Sequence, residues 1–178
     1  MSEWLAAARA VGVETASRHA HDVDAGARFP AETFAALKAK KLLGMVPASE
    51  GGVGIADAVS ICHALGQYCA STAMIYAMRQ IQVSCLVRHG GASAWHRKFM
   101  TRLAGEQLLL ASATSEAGVG GDVRSSVCAV EEVDGRFSLA KQATVISCGA
   151  NSASRSSTPT TCSSRTTSRS SWRATTSC

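Results

Sequence analysis

The chain has 178 residues and a formal net charge of +5, a length that allows one domain with a core, or one domain followed by part of another. Residues 152–178 contain four arginines and no acidic residue, so the charge of the preceding body is nearly balanced. Without interleaved aromatic residues, this basic tail does not indicate specific nucleic-acid binding. The seven cysteines form no CxxC pair and no Cys/His cluster, which argues against a zinc framework and favours reduced thiols in a cytoplasmic chain.

Helical periodicity begins near the N-terminus, where no export signal is visible, and defines two helices. Apolar side chains recur at helical spacing until Asp24–Gly26 interrupts the pattern. These side chains are Trp4, Leu5, Ala8 and Val11. Pro30 then suits the first turn of a second helix, in which Phe34 and Leu37 share a face and lysines precede Gly44.

A glycine-rich loop at residues 46–54 leads into a long apolar region. Residues 58–78 carry no charge, but their polar side chains would be costly in a bilayer, so we predict packed helices rather than a membrane span. Two apolar stripes are expected to face the core. The stripes are Ile55, Val59, Cys62, Leu65 and Cys69, and then Met74, Met78, Ile81 and Cys85. A further helix capped by Ser93 is expected to place Trp95, Phe99 and Leu103 on one face.

Strand patterns replace helical ones after residue 107. Alternation over Val127–Val133 is followed by Asp134-Gly135, a strong hairpin signal before Arg136–Leu139. Residues 144–147 indicate one more strand. Helices first and strands second are typical of an α+β fold.

The segment after Asn151 is dominated by Ser, Thr and Arg and contains a single aromatic residue, Trp172. It cannot bury enough apolar surface to offset the entropy of ordering it, so we predict disorder. It is either an out-of-frame continuation of a GC-rich gene or a genuine low-complexity tail. The predicted domains are an all-helical N-terminal domain at 1–106, an incomplete antiparallel β-domain at 107–150, and a disordered tail at 151–178.

The segment Ala111–Asp122 carries the strongest chemical signal in the chain. Hydroxyl side chains are followed by three glycines at Gly118, Gly120 and Gly121. Short hydroxyls and glycines allow a backbone to approach and hydrogen-bond a polar ring or a phosphate. Alternatively, the hydroxyls face outward from a strand and the glycines only form a turn.

The order of these features resembles the N-terminal part of the FAD-dependent acyl-CoA dehydrogenases over roughly residues 25–150. The features are Phe29-Pro30, the loop Pro47–Gly54, the helical hairpin, Gly105-Glu106, and the strand Val145-Ile146-Ser147. In that family a Thr-Glu-Pro-x-x-Gly-Ser-Asp motif lies against the flavin, and here Ser115–Asp122 stands in its place. Ala117 replaces the motif's proline, Gly121 replaces its serine, and Val145 replaces the tryptophan of a second family motif.

The resemblance implies an oxidoreductase of fatty acid metabolism that α,β-dehydrogenates an acyl-CoA thioester with FAD. It also implies a homo-oligomer with no membrane and no specific nucleic-acid partner. The cofactor-binding residues that it implies are Ser112, Thr114, Ser115, Gly120, Gly121, Val145 and Ser147. The family's catalytic glutamate lies in a C-terminal helical domain that this chain does not contain. We therefore predict no catalytic residue here, not even Glu116, and expect the chain alone to be inactive.

A different class of function is compatible with the same pattern. The chain could be a non-catalytic helical protein-interaction module that keeps the family's packing surfaces and has lost the cofactor. The five histidines are too scattered to predict a metal site.

Overall fold

The computed structural model describes residues 2–44, 54–90, 93–112, 118–119, 122 and 125–128, together with the backbone of four strands at 130–133, 136–141, 160–164 and 174–175. The chain divides into two compact units, of which the first contains the helices and the second contains the strands. The helical N-terminal region predicted from the sequence is confirmed. Within the part of the chain that the structure describes, no helix is both long and apolar enough to cross a bilayer.

The first predicted helix is present and contains a π-helical turn. Helix α1 runs over Glu3–Val11, the π turn over Gly12–Ala16, and α2 over Ser17–Ala25. Ser2 caps α1, since its hydroxyl accepts a hydrogen bond from the backbone N–H of Leu5 at 3.3 Å. A Cβ atom at Gly12 would overlap the ring of Tyr68, so the π turn packs closely against the turn at residues 67–68.

Helix α3 spans Ala31–Ala39 and is joined to α2 by a corner that ion pairs hold. The Arg28 guanidinium donates to Asp22 at 2.6 Å and to Glu32 at 2.9 Å. Phe34 and Leu37 are buried on the inner face of α3, as the sequence predicted. The helix ends at Ala39, within the lysine run, and Lys41 adopts a left-handed conformation with φ of 56°.

Three further helices complete the first unit. Helix α4 spans Ile55–Gly66, α5 spans Ala70–Gly90, and α6 spans Ala94–Gly105. Ser93 caps α6, as predicted, by accepting from the N–H of His96. Trp95 stacks on Phe99 with ring centroids 5.2 Å apart, and Leu103 of the same helix is buried. The main core lies between α1, α3, α4 and α5.

The predicted orientation of α5 is wrong. Met74 and Ile81 are 62% and 52% exposed, and Cys85 is exposed as well. The buried face carries Thr72, Tyr76, Arg79 and Val83 instead. Apolar residues occur on both sides of this helix, so periodicity alone could not select the inner face, and the large Tyr76 and Arg79 side chains fill it.

The predicted stripe on α4 is correct only in its second half. Leu65 and Cys69 are buried, whereas Ile55 and Val59 are exposed. Ile61 contributes the remaining large apolar side chain to the core from this helix. Exposed Ile55 and Val59, together with Met74 and Ile81, therefore leave large apolar side chains on the surface of the α4–α5 pair.

The second unit contains a four-stranded antiparallel sheet in the order β1-β2-β3-β4. Strands β1, Val130–Val133, and β2, Arg136–Lys141, pair with Val133 opposite Arg136. Strand β3, Thr160–Ser164, pairs with β2, and β4, Ala174–Thr175, pairs with β3. The strand predicted at 144–147 lies outside the described residues. The division into domains and the disorder of 151–178 stay predictions, although two short strands of backbone fall within that tail.

Candidate functional site

The segment that links α6 to the predicted cofactor-binding residues is a connector, Leu108–Ser112. Helix α6 ends just before it, because Gln107 adopts a left-handed conformation with φ of 52°. The N–H of Glu106 donates to the carbonyl of Arg102 at 2.8 Å, and the N–H of Leu108 donates to the carbonyl of Leu103 at 3.1 Å. These bonds satisfy the last carbonyls of the helix and set the direction of the connector.

Gln107 fixes the start of the connector to the segment that follows α3. Its buried side-chain Oε1 accepts from the N–H of Leu43 at 2.9 Å, and its Nε2 donates to the carbonyl of Ala104 at 2.6 Å. A Cβ atom at Gly44 would overlap Nε2 of this side chain. The residue that follows Leu43 must therefore be small for this contact to form.

Arg79 of α5 is the second anchor of the connector. Its Nε donates to the carbonyl of Leu108 at 2.9 Å, and the whole side chain is buried. Burial lowers the pKa of this guanidinium to about 10, while the neighbouring Tyr76 acts in the opposite direction. The group therefore stays charged at neutral pH although it is out of contact with water.

Tyr76 lies one turn before Arg79 on the same buried face of α5. Burial raises the pKa of its hydroxyl well above the ordinary value. Thr72, one further turn toward the start of the helix, is also fully buried, and its hydroxyl has no hydrogen-bond partner among the described residues. The inner face of α5 is thus polar at three successive turns, and its Arg79 contacts the start of the connector at Leu108.

The structure describes one of the seven predicted cofactor-binding residues. Ser112 is 6% exposed and forms an isolated backbone bridge at the end of the connector. The other six lie outside the described residues, so their roles stay predictions. They are Thr114, Ser115, Gly120, Gly121, Val145 and Ser147.

Two turns are described within and after the glycine-rich segment. Gly118 has φ of +92°, and no atom of the described residues lies within 4 Å of the position of an added Cβ. The N–H of Asp122 donates to the carbonyl of Val119 at 3.2 Å, and the Ser125 hydroxyl donates to the Asp122 carboxylate at 2.6 Å. Gly118 therefore occupies a conformation that side chains disfavour, with open space beside it.

Arg79 and Gln107 were not identified from the sequence as residues that position the candidate site. Arg79 directly follows an uncharged stretch, residues 58–78, and helical spacing places it in register with Thr72 and Tyr76. That spacing was the available signal. No local pattern could reveal Gln107, because its partner Leu43 is 64 residues away in the chain.

Comparisons with known proteins agree on one family. A family model described as "Acyl-CoA dehydrogenase, N-terminal domain" matches residues 2–107. A relative from Mycobacterium leprae (strain TN), named "Probable acyl-CoA dehydrogenase fadE25", is 33% identical over 128 residues, which are 70% of this chain and 32% of the relative. The chain thus spans about a third of the length of that relative. These matches, and the helical unit that ends at the anchored connector, show that the chain belongs to the acyl-CoA dehydrogenase family.

Proposed function

We propose that this chain provides the flavin-facing helical part of an FAD-dependent acyl-CoA dehydrogenase, together with the first strands of its middle β-domain. The reaction would be the α,β-dehydrogenation of an acyl-CoA thioester. The observation that carries the proposal is the fixed start of the connector, which Gln107 and Arg79 both hold. A rigid support of this kind is what a cofactor-binding segment needs, since small displacements at a site reduce binding and rate.

Two described residues, one in each unit, each have a property that a flavin contact needs. Ser112 offers a hydroxyl in a buried position at the end of the connector. Gly118 offers open space and a backbone conformation that permits close approach. The proposed contacts to FAD extend from these positions to six residues of this chain. They are Thr114, Ser115, Gly120, Gly121, Val145 and Ser147.

The division of labour follows from the chemistry. Bound FAD supplies hydride acceptance, and the protein orients it and tunes it by hydrogen bonds. Here the Ser115 and Ser147 hydroxyls are proposed to bond the ring edge, and Gly120 and Gly121 to keep side chains out of its plane. A base must reach the substrate α-carbon directly or through one water. We assign no such base in this chain and therefore expect no turnover by the chain alone. The acyl-CoA substrate and the homo-oligomer stay proposals for a longer protein.

A titration of FAD fluorescence with the purified chain tests the proposal. We expect saturable quenching for the wild-type chain, and at least tenfold weaker binding for Ser115→Ala and for Gly121→Val. Ser84→Ala is the matched control, because the Ser84 hydroxyl is exposed and donates to the Gln80 carbonyl of its own helix. Equal affinity in all four chains, or no quenching by any of them, would refute the proposed site.

The alternative is a non-catalytic helical interaction module that has lost the cofactor. The exposed apolar side chains of Ile55, Val59, Met74 and Ile81 favour it, since a surface of this kind commonly binds another protein. A colourless preparation that takes up no added FAD and binds a protein partner would support this alternative. If the partner is bound through this surface, Ile55→Asp and Met74→Asp should release it.

A further inference from the structure

Arg79 is a buried cation without a buried anion beside it in the described part of the chain. Its side chain is fully removed from solvent, and its one hydrogen bond, from Nε, goes to the carbonyl of Leu108. The ion pairs of the described residues involve other bases, namely His19, Arg28 and Arg102. A lone buried charge is strongly unfavourable, and proteins ordinarily pair it or neutralise it.

Loss of a proton does not remove the unpaired charge of the Arg79 guanidinium. The pKa of the guanidinium is lowered to about 10, which still leaves it protonated under physiological conditions. The Tyr76 hydroxyl beside it cannot supply the charge, because burial moves the pKa of Tyr76 upward and keeps it neutral. The ion pairs of the described residues therefore leave Arg79 without a counter-charge.

The geometry leaves a donor free to receive that counter-charge. Among the described residues, the buried Nη1 of Arg79 has no hydrogen-bond partner, and a guanidinium fork matches carboxylate and phosphate oxygens. The Thr72 hydroxyl on the same helix face is buried and likewise has no partner there. Two polar side chains on one face thus lack a partner within the described part of the chain, which points to an added polar group on this face.

We propose that Arg79 is a binding site for the oxyanion of a small molecule, a carboxylate or a phosphate, which lies between α5 and the connector Leu108–Ser112 and accepts a hydrogen bond from Nη1. Access would require displacement of the connector rather than of the core helices, since Leu108 is half-buried and Ala111 is exposed. The anion would then stabilise the connector through Arg79. Arg79 is not among the residues proposed to contact FAD, and the proposed anion binding does not depend on FAD binding.

Thermal unfolding of the full chain at fixed ionic strength tests the proposal, with acetate, glutarate and inorganic phosphate as the probes. We expect a saturable rise in Tm of about 2–4 °C for at least one of them in the wild-type chain. The rise should persist in Arg88→Met, which removes an exposed arginine from the same helix, and disappear in Arg79→Met. A response to phosphate alone would identify a phosphate ligand, and a response to acetate or glutarate alone a carboxylate ligand.

A second readout avoids reliance on stability. In an NMR titration, the Nε–Hε signal of Arg79 should shift with the same midpoint as the Tm curve, and that of Arg102 should not. Arg79→Lys keeps the charge but loses the guanidinium fork, so its affinity for the active probe should fall at least tenfold. Equal Tm responses in wild type and Arg79→Met, no response to any probe, or an unchanged Arg79 signal would overturn the proposal.

Discussion

In helix α5 the buried face is largely polar and the exposed face carries apolar side chains, which is the reverse of an ordinary amphipathic helix. The inner face holds Thr72, Tyr76 and Arg79, which are fully buried, while the outer face exposes Met74 and Ile81. An apolar outer face is compatible with contact to another part of a longer protein or to a partner. A polar inner face needs partners for each buried group, and here it supports the connector that leads to the proposed cofactor site.

The sharpest way to break this comparison is to truncate one large side chain on each face. Tyr76→Ala should lower the free energy of unfolding by about 3–5 kcal/mol, because it leaves a cavity in the core. Met74→Ala should change it by less than about 0.5 kcal/mol, since the side chain is mostly in solvent. Urea unfolding followed by circular dichroism measures both, and similar losses for the two variants would contradict the assignment of faces.

The anchor at the start of the connector gives the next largest effect. Gln107→Ala should cost about 1–3 kcal/mol, since it leaves the buried N–H of Leu43 without its acceptor. Gln67→Ala, which removes an exposed glutamine at the end of α4, is the matched control and should be nearly neutral. The same urea experiment checks this pair, and a neutral Gln107→Ala would show that the connector is not fixed there.

Two Gly→Ala substitutions, each of which adds one methyl group, test how closely two parts of the helical unit are packed. Gly→Ala in a helix is ordinarily favourable by about 1 kcal/mol. Gly12→Ala should instead destabilise by roughly 1–2 kcal/mol, because the new Cβ would overlap the Tyr68 ring. In Gly66→Ala the nearest atom to the new Cβ is the Ala73 Cβ at 3.6 Å, an ordinary contact, so no loss is expected. A gain in Tm for Gly12→Ala would contradict the close packing at the π turn.

The smallest effect is expected at the exposed corner between α2 and α3. The Arg28 side chain holds the pKa of Glu32 below its ordinary value, chiefly by a hydrogen bond. The stabilisation is therefore present above pH 4.5 and is lost as the pH falls through the lowered pKa. Arg28→Gln should lower Tm slightly at neutral pH, and the difference from wild type should vanish in acid. A difference that is constant with pH would exclude an ionic origin.

Much of the helical unit followed from sequence patterns, and the failures have identifiable causes. Pro30, Phe34 and Leu37 defined α3, and Ser93 defined the start of α6, because caps and periodicity are local signals. The inner face of α5 could not be predicted by hydropathy, since Met74 and Ile81 are more apolar than the buried Thr72, Tyr76 and Arg79. Correct orientation required the long-range contacts of Tyr76 and Arg79, which no local pattern encodes.

The candidate site also contains residues that local sequence patterns predicted and residues that they did not. The hydroxyl and glycine residues from Ser112 to Gly121 drew attention through their composition, and the family resemblance that they support is confirmed by the comparisons. The side chains that fix the approach to them, Arg79 and Gln107, lie in or just after helices and contact distant backbone groups. Such supporting contacts depend on how helices pack, so they were accessible only from the structure.

The orientation of α5 is the central claim, because the Arg79 site and the anchoring of the connector both depend on it. Two native cysteines allow a direct test: Cys85 is exposed on α5, whereas Cys69, just before the helix, is buried. Thiol labelling of the folded chain, read by peptide mass spectrometry, should modify Cys85 quickly and Cys69 only on unfolding. Protection of Cys85 equal to that of Cys69 would place the apolar stripe inward and contradict the account.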